Sequence, residues 1–129
     1  MRYVVDTHAL VWYLTNDTRL GVGARQVLDD PSALLVIPTI VLAEAKHISE
    51  RKPIPISFDD IMQTIAADAR ITIFSLDIFV VAGMPKELDI HDGLIVATAF
   101  SAQKLFEEEI VILTRDEVIA ASNQLPVIW

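Results

Sequence analysis

The chain contains no cysteine. That excludes disulfides, a thiolate nucleophile and a zinc site built on cysteine. Glycine and proline are sparse, 4 and 6 in 129 residues, while 53% of the chain is hydrophobic. Such a composition excludes a disordered or low-complexity chain. No apolar run reaches the roughly 18 residues of a membrane span. Asp6 and His8 interrupt the first apolar stretch, which a secretory signal would not tolerate. A soluble, cytoplasmic protein is expected. Positive charge is also short: 10 Lys and Arg face 18 Asp and Glu, a net charge of −8. Proteins that grip nucleic acid by charge alone are usually basic, so non-specific polyanion binding is disfavoured. The length fits one domain, residues 1–129, and neither a repeat nor a linker divides it.

What is present is an alternation of short apolar runs and helical patterns. Strands are expected at Arg2–Val5, Leu34–Ile37, Ile71–Phe74 and Ile110–Leu113, with a last edge strand at Val127–Ile128. Continuous apolar strands of this kind suit a parallel sheet covered on both faces. Helices are expected from Thr7 to about Leu14, from Gly23 to Leu28, and from Thr39 until Pro53-Ile54-Pro55 breaks the pattern. Ser57-Phe58-Asp59-Asp60 has capping-box spacing, with Asp in place of Glu. The helix behind it should run to about Ala69 and bury Ile61, Met62, Ile65 and Ala69. Asp77 should cap a short helix through about Ala82. The helix opened by Asp89-Ile90-His91-Asp92 has no clearly polar face over two turns, so it should be buried. A final helical turn covers Glu117 to Ala121. The fold class is therefore α/β, a three-layer α/β/α domain around a central parallel sheet.

Four carboxylates sit where such a fold does chemistry. Asp6 follows the first strand, and ligands in open α/β sheets bind beyond the carboxyl ends of strands. Asp116 lies two residues past the fourth strand, and Asp92 is in the first turn of the buried helix. Glu44 sits mid-helix between two alanines. Each has a plainer reading: Asp6 and Asp116 suit N-caps, Asp92 suits a helix start, and Glu44 suits a solvated face. If all four converge, each pair at ~5 Å repels by about 3 kcal/mol at an effective dielectric of ~20. Several such pairs would rival the ~5–15 kcal/mol stability of a domain. Either carboxylates take up protons or a divalent cation neutralises them. All-oxygen ligands favour Mg²⁺ or Mn²⁺, and a hard cation there suits phosphodiester hydrolysis.

The chain resembles the PIN-domain family, and within it the VapC-type ribonuclease toxins of toxin–antitoxin pairs. The resemblance rests on Val5-Asp6-Thr7-His8-Ala9-Leu10-Val11-Trp12, Val41-Leu42-Ala43-Glu44-Ala45, the segment from His91-Asp92 to Ala99, Leu113-Thr114-Arg115-Asp116 and the closing Val127-Ile128-Trp129. It implies a PIN-like fold and an endoribonuclease with one or two Mg²⁺ or Mn²⁺ ions held by Asp6, Asp92 and Asp116. Glu44 would be a ligand or orient water. It also implies an RNA substrate, a homodimer, and a small antitoxin that inserts a segment near the acids. The chain departs from many relatives at Gly93, where they carry arginine just after the third acid. A receiver domain would want paired acids after the first strand and a lysine after a late strand. A phosphatase of the two-aspartate type would want an acid where His8 stands. A PIN-like module that binds RNA or protein without cutting remains the alternative.

Around the acids, Thr7, Thr114, Asp89, His91 and Arg115 are candidates for supporting the carboxylates or touching substrate. Caps and ordinary surface roles compete for each. Lys46, His47, Arg51 and Lys52 form the densest basic segment. Lys46, Arg51 and Lys52 suit an RNA-contacting rim, or simply a helix end that matches its dipole. Trp12 and Tyr13 suit core or dimer contacts rather than base stacking.

Overall fold

The computed structural model describes residues 1–122 and 124–129. Five parallel strands form one sheet in the order β3-β2-β1-β4-β5. They are β1 (Arg2–Val5), β2 (Leu34–Pro38), β3 (Ile71–Phe74), β4 (Ile110–Leu113) and β5 (Val127–Ile128). Seven helices are seen among the described residues: α1 (Thr7–Leu14), α2 (Val22–Asp29), α3 (Thr39–Arg51), α4 (Phe58–Ala67), α5 (Ile78–Ala82), α6 (Ile90–Phe106) and α7 (Glu117–Ala121). The expected three-layer α/β/α arrangement is what the chain adopts. No helix among the described residues is long and apolar enough to cross a membrane.

The central strands carry the core. Val4, Val36 and Ile112 are fully buried, and Val5 and Ile37 nearly so. Both faces are covered, which is why these strands read as unbroken apolar runs rather than alternating ones. Helix α6 explains its own lack of a polar stripe: every residue from Gly93 to Ala99 is buried. Ser57 and Asp60 close a reciprocal capping box at the start of α4, so aspartate is long enough for that role here.

Some element boundaries differ from expectation. Helix α4 stops at Ala67, and Ala69 is exposed rather than buried. Asp68 leaves the helix to bind Arg70, whose guanidinium also donates to the Leu28 and Asp30 carbonyls. That brace ends the helix and starts β3. Helix α2 begins one residue earlier and ends one later than the pattern suggested.

The topology places the site. From β1 the chain moves outward through β2 to β3, then returns by α5 and α6 to the other side of β1. The reversal falls between β1 and β4, and such a switch point opens a crevice at the carboxyl ends of the strands. Val5 pairs with Leu113, so both strands end at the same level.

Beyond β5, Trp129 folds back over the turn before α2. A Cβ built on Gly21 would lie 2.4 Å from the Trp129 carbonyl carbon, so only glycine admits this approach. Gly21→Ala should lower the unfolding free energy by about 1–3 kcal/mol through overpacking. Gly83→Ala meets nothing nearer than 3.4 Å and should stay within about 0.5 kcal/mol. Denaturant unfolding of the two variants checks this, and equal midpoints would show that Trp129 does not press on the turn.

Candidate active site

Asp6 ends β1 and caps α1. Its Oδ1 accepts from the His8 backbone N–H at 3.1 Å, which explains why the strand gives way to a helix there. Its Oδ2 accepts from the Thr114 hydroxyl, across the switch point. That hydroxyl in turn accepts from the Asp116 backbone N–H at 3.0 Å. Asp6 and Thr114 are both buried, at 9% and 2% exposure, so each needs the bond the other supplies. One threonine thus ties the acids after β1 and β4 together.

Asp116 caps α7 with a single oxygen, Oδ1, which takes the Val118 and Ile119 N–H groups at 2.8 and 3.2 Å. The cap reading and the site reading are therefore compatible: one oxygen holds the helix and the other is left for the recess. Asp6, Asp116, His8, Arg115 and Glu117 line that recess, which measures about 340 Å³.

Glu44 reaches the site from α3, where Val41 and Ala45 pack inward and Glu44 is half-buried beside them. Thr7 is not a cap. It is the first helical residue, and its hydroxyl donates to Glu44 Oε1 at 3.2 Å. His91 Nδ1 lies 3.5 Å from Glu44 Oε2. Asp89 is the N-cap of α6 and accepts from the Asp92 N–H at 2.9 Å. Asp92 follows in the first turn.

The electrostatics report the convergence directly. Burial first, then the negative charges of Asp116, Asp89, Asp6 and Glu44, push the Asp92 carboxyl up from 3.8 to about 6. Three of the sequence-nominated acids, Asp6, Glu44 and Asp116, therefore act on the fourth, Asp92. Asp89 joins them, so its capping role does not remove it from the site's field.

A divalent cation fits this donor set in chemistry: carboxylate oxygens, no sulfur, and excess negative charge held by packing. The carboxylates are not drawn to ligating distance as they stand, since no group of three His, Asp or Glu among the described residues could hold a metal ion.

The basic candidates separate. Arg115 lines the recess. Lys46 pairs with Glu50 and lies 5.8 Å from the Phe58 ring, on the α4 side of α3. Arg51 is exposed at the end of α3. Lys52 instead enters a cleft shared with His8 and Arg115. Arg19 also lies there, over the Trp12 ring, and no pattern in the sequence singles it out. Trp12 itself is core, at 5% exposure. Gly93 is closed over by Met84, Pro85 and Leu88, with Met84 Cε 3.2 Å from where a Cβ would sit. A side chain there would have to displace the end of the Met84 side chain.

The fold and the site define an α/β domain with an acidic crevice at its topological switch point. Residues 3–122 match the model of the PIN domain, and the chain belongs to the PIN-domain family. PIN domains are generally nucleases that use divalent metal ions. The VapBC2 complex of Rickettsia felis, bound to a DNA fragment from its promoter, is similar in structure with a TM-score of 0.71 and 14% identity, over 100% of this chain and 99% of that one. A toxin–antitoxin complex from Klebsiella pneumoniae is similar with a TM-score of 0.61 and 18% identity, over 98% and 96%. At these identities the likeness establishes the fold. No curated protein matches the chain in sequence.

The raised Asp92 carboxyl sets a pH dependence. The folded state holds this proton more tightly than the unfolded chain, so stability is full below about pH 4 and is lost as pH rises through about 6. In chelator at pH 8, Asp92→Asn should therefore stabilise the fold. Two units correspond to ~3 kcal/mol, and solvent screening of this half-exposed group reduces that to about 1 kcal/mol. The gain should vanish at pH 4. Thermal unfolding across that range measures it, and an Asp92→Asn protein less stable at pH 8 would contradict the like-charge field.

Proposed function

We propose that the chain is a single PIN domain over residues 1–129 acting as a Mg²⁺- or Mn²⁺-dependent endoribonuclease, the toxin of a toxin–antitoxin pair. The observation that carries this reading is the hydrogen-bonded gathering of acids at one end of the sheet, where Thr114 bonds Asp6, Thr7 bonds Glu44 and Asp89 caps the helix turn that holds Asp92. An acid cluster of this density destabilises the fold unless a cation or a bound proton offsets it. Family membership supports nuclease chemistry, and the kinship in fold with toxin–antitoxin complexes supports the biological role.

Asp6, Asp92 and Asp116 would hold the cation, which supplies a nucleophile at neutral pH and charge stabilisation at a phosphate oxygen. Thr114 fixes the Asp6 carboxylate in place, and the cap on α7 fixes Asp116. Thr7 and His91 orient Glu44, which faces the acids as a ligand or as the group that positions water. Arg115, beside Asp116, is placed to meet substrate phosphate. Two partners follow: a small antitoxin that covers the recess, and a second copy of the chain. Phe79 and Leu105, 74% and 66% exposed, line one groove, and Ile78 and Val81 are exposed on α5 beside it, which supports self-association through α5 and α6. A non-cutting PIN module is the second reading, favoured by the open spacing of the acids.

Purified protein, freed of any antitoxin, should cleave RNA in Mg²⁺ or Mn²⁺ and stop in chelator. Asp92→Asn should slow cleavage at least ~100-fold, the loss of about 3 kcal/mol of transition-state stabilisation. Cleavage that persists in chelator sinks the metal mechanism, and no cleavage of any RNA favours the binding module. Phe79→Asp should convert a dimer to a monomer in gel filtration; a parent chain that already elutes at 14.3 kDa argues against the dimer.

A further inference from the structure

A second cleft, of about 510 Å³, opens beside the acids, between α1, the turn after it and the Lys52–Pro55 segment. His8 and Arg115 line this cleft and also the recess of Asp6 and Asp116. The two hollows are therefore joined through shared walls.

The sign of the charge reverses along that path. The recess is acidic, whereas the cleft sets Arg19, Lys52 and Arg115 against one carboxylate, Asp17. In a chain of net charge −8, this is a local positive surplus. Trp12 organises it. The Arg19 and Arg115 guanidinium carbons lie 4.6 and 4.5 Å from its ring, and the His8 ring is 5.0 Å away. Cations held against an aromatic ring keep their N–H donors for other partners. Arg19 spends part of its fork on Asp17, at 3.1 and 2.8 Å. Arg115 and Lys52 have no carboxylate partner among the described residues. The remaining wall is aliphatic, Val11, Ile48, Pro53, Ile54 and Pro55, except for Thr15, whose hydroxyl donates to the Val11 carbonyl at 2.8 Å.

We infer that this cleft is a nucleotide subsite that continues the acid site, with Arg115 and Lys52 gripping a flanking phosphate and the aliphatic wall receiving its base. Its role rests on the nuclease reading above. The division of labour follows from the chemistry. Cations bind the phosphodiester and set the register of the strand, while an aliphatic wall accepts a base without reading its edge. Trp12 is too buried to stack on a base, so it serves as the plate that positions the cations. The subsite should thus favour single strands and discriminate weakly among bases. It also locates the positive charge that the acidic chain as a whole lacks.

Binding can be read without cleavage. A short fluorescein-labelled single-stranded RNA, titrated in chelator and followed by anisotropy at several salt concentrations, is the probe. Lys52→Glu and Arg115→Glu should each weaken binding about tenfold or more. Each should also reduce the slope of log affinity against log salt by about 0.7, the signature of one lost phosphate contact on a single strand. Lys104→Glu is an exposed control about 18 Å along α6 from Asp92, and it should change neither value. Unfolding curves confirm that each variant is folded. With Trp129→Phe as the background, RNA should also shift the emission of Trp12. Unchanged RNA binding in both reversals overturns the subsite. The two proposals fail separately. Reversal-sensitive RNA binding by a protein that never cuts supports the subsite and refutes the nuclease. Cleavage with reversal-insensitive binding does the opposite.

Discussion

Val5 of β1 pairs with Leu113 of β4, and the two central strands end side by side. The rest of the site depends on that register. It brings Asp6 and Thr114 within hydrogen-bond reach, and the Thr114 hydroxyl then joins Asp6 to the Asp116 backbone. A slip of one residue would turn every strand side chain to the opposite face and break this bridge. The apolar filling of both faces makes such a slip costly, so the core fixes the geometry of the acids.

Packing then holds together what electrostatics would separate. Helices α3 and α6 bury Val41, Ala45 and the run from Gly93 to Ala99, and in doing so deliver Glu44 and Asp92 to the edge where Asp6 and Asp116 already stand. The result is visible at Asp92, whose carboxyl is pushed up to about 6. Local helix chemistry and site chemistry share residues: Asp6, Asp89 and Asp116 are all N-caps. Capping orients a carboxylate by fixing one oxygen, which reduces the rotamer freedom that a ligand must lose. The Arg19 and Arg115 guanidiniums gather on Trp12 next door, and Arg115 also lines the acid recess.

Much of this was legible in the sequence because it is local. Apolar runs marked the strands, and Asp77, Asp89 and Ser57 marked helix starts. The parallel order of strands followed from alternating β and α elements. Glu44 was ambiguous, since Ile40, Val41, Ala45 and Ile48 allow more than one phase of the α3 stripe; its side chain meets Thr7 and His91. The end of α4 was misplaced because Arg70 draws Asp68 out of the helix through carbonyls some 40 residues away. Arg19 was missed for the same reason. Its neighbours in space, Trp12, Lys52 and Arg115, are scattered along the chain. At the Gly93 departure, the end of the Met84 side chain lies 3.2 Å from where a Cβ would sit.

The central claim is that four carboxylates from four elements form one cation site. Calorimetric titration of Mn²⁺ into the antitoxin-free protein tests it most directly. Saturable binding is expected, at least ~10-fold weaker in Asp6→Asn and in Asp116→Asn alike, because each removes a ligand from the same ion. Binding that is absent, or that survives both substitutions unchanged, would contradict the claim.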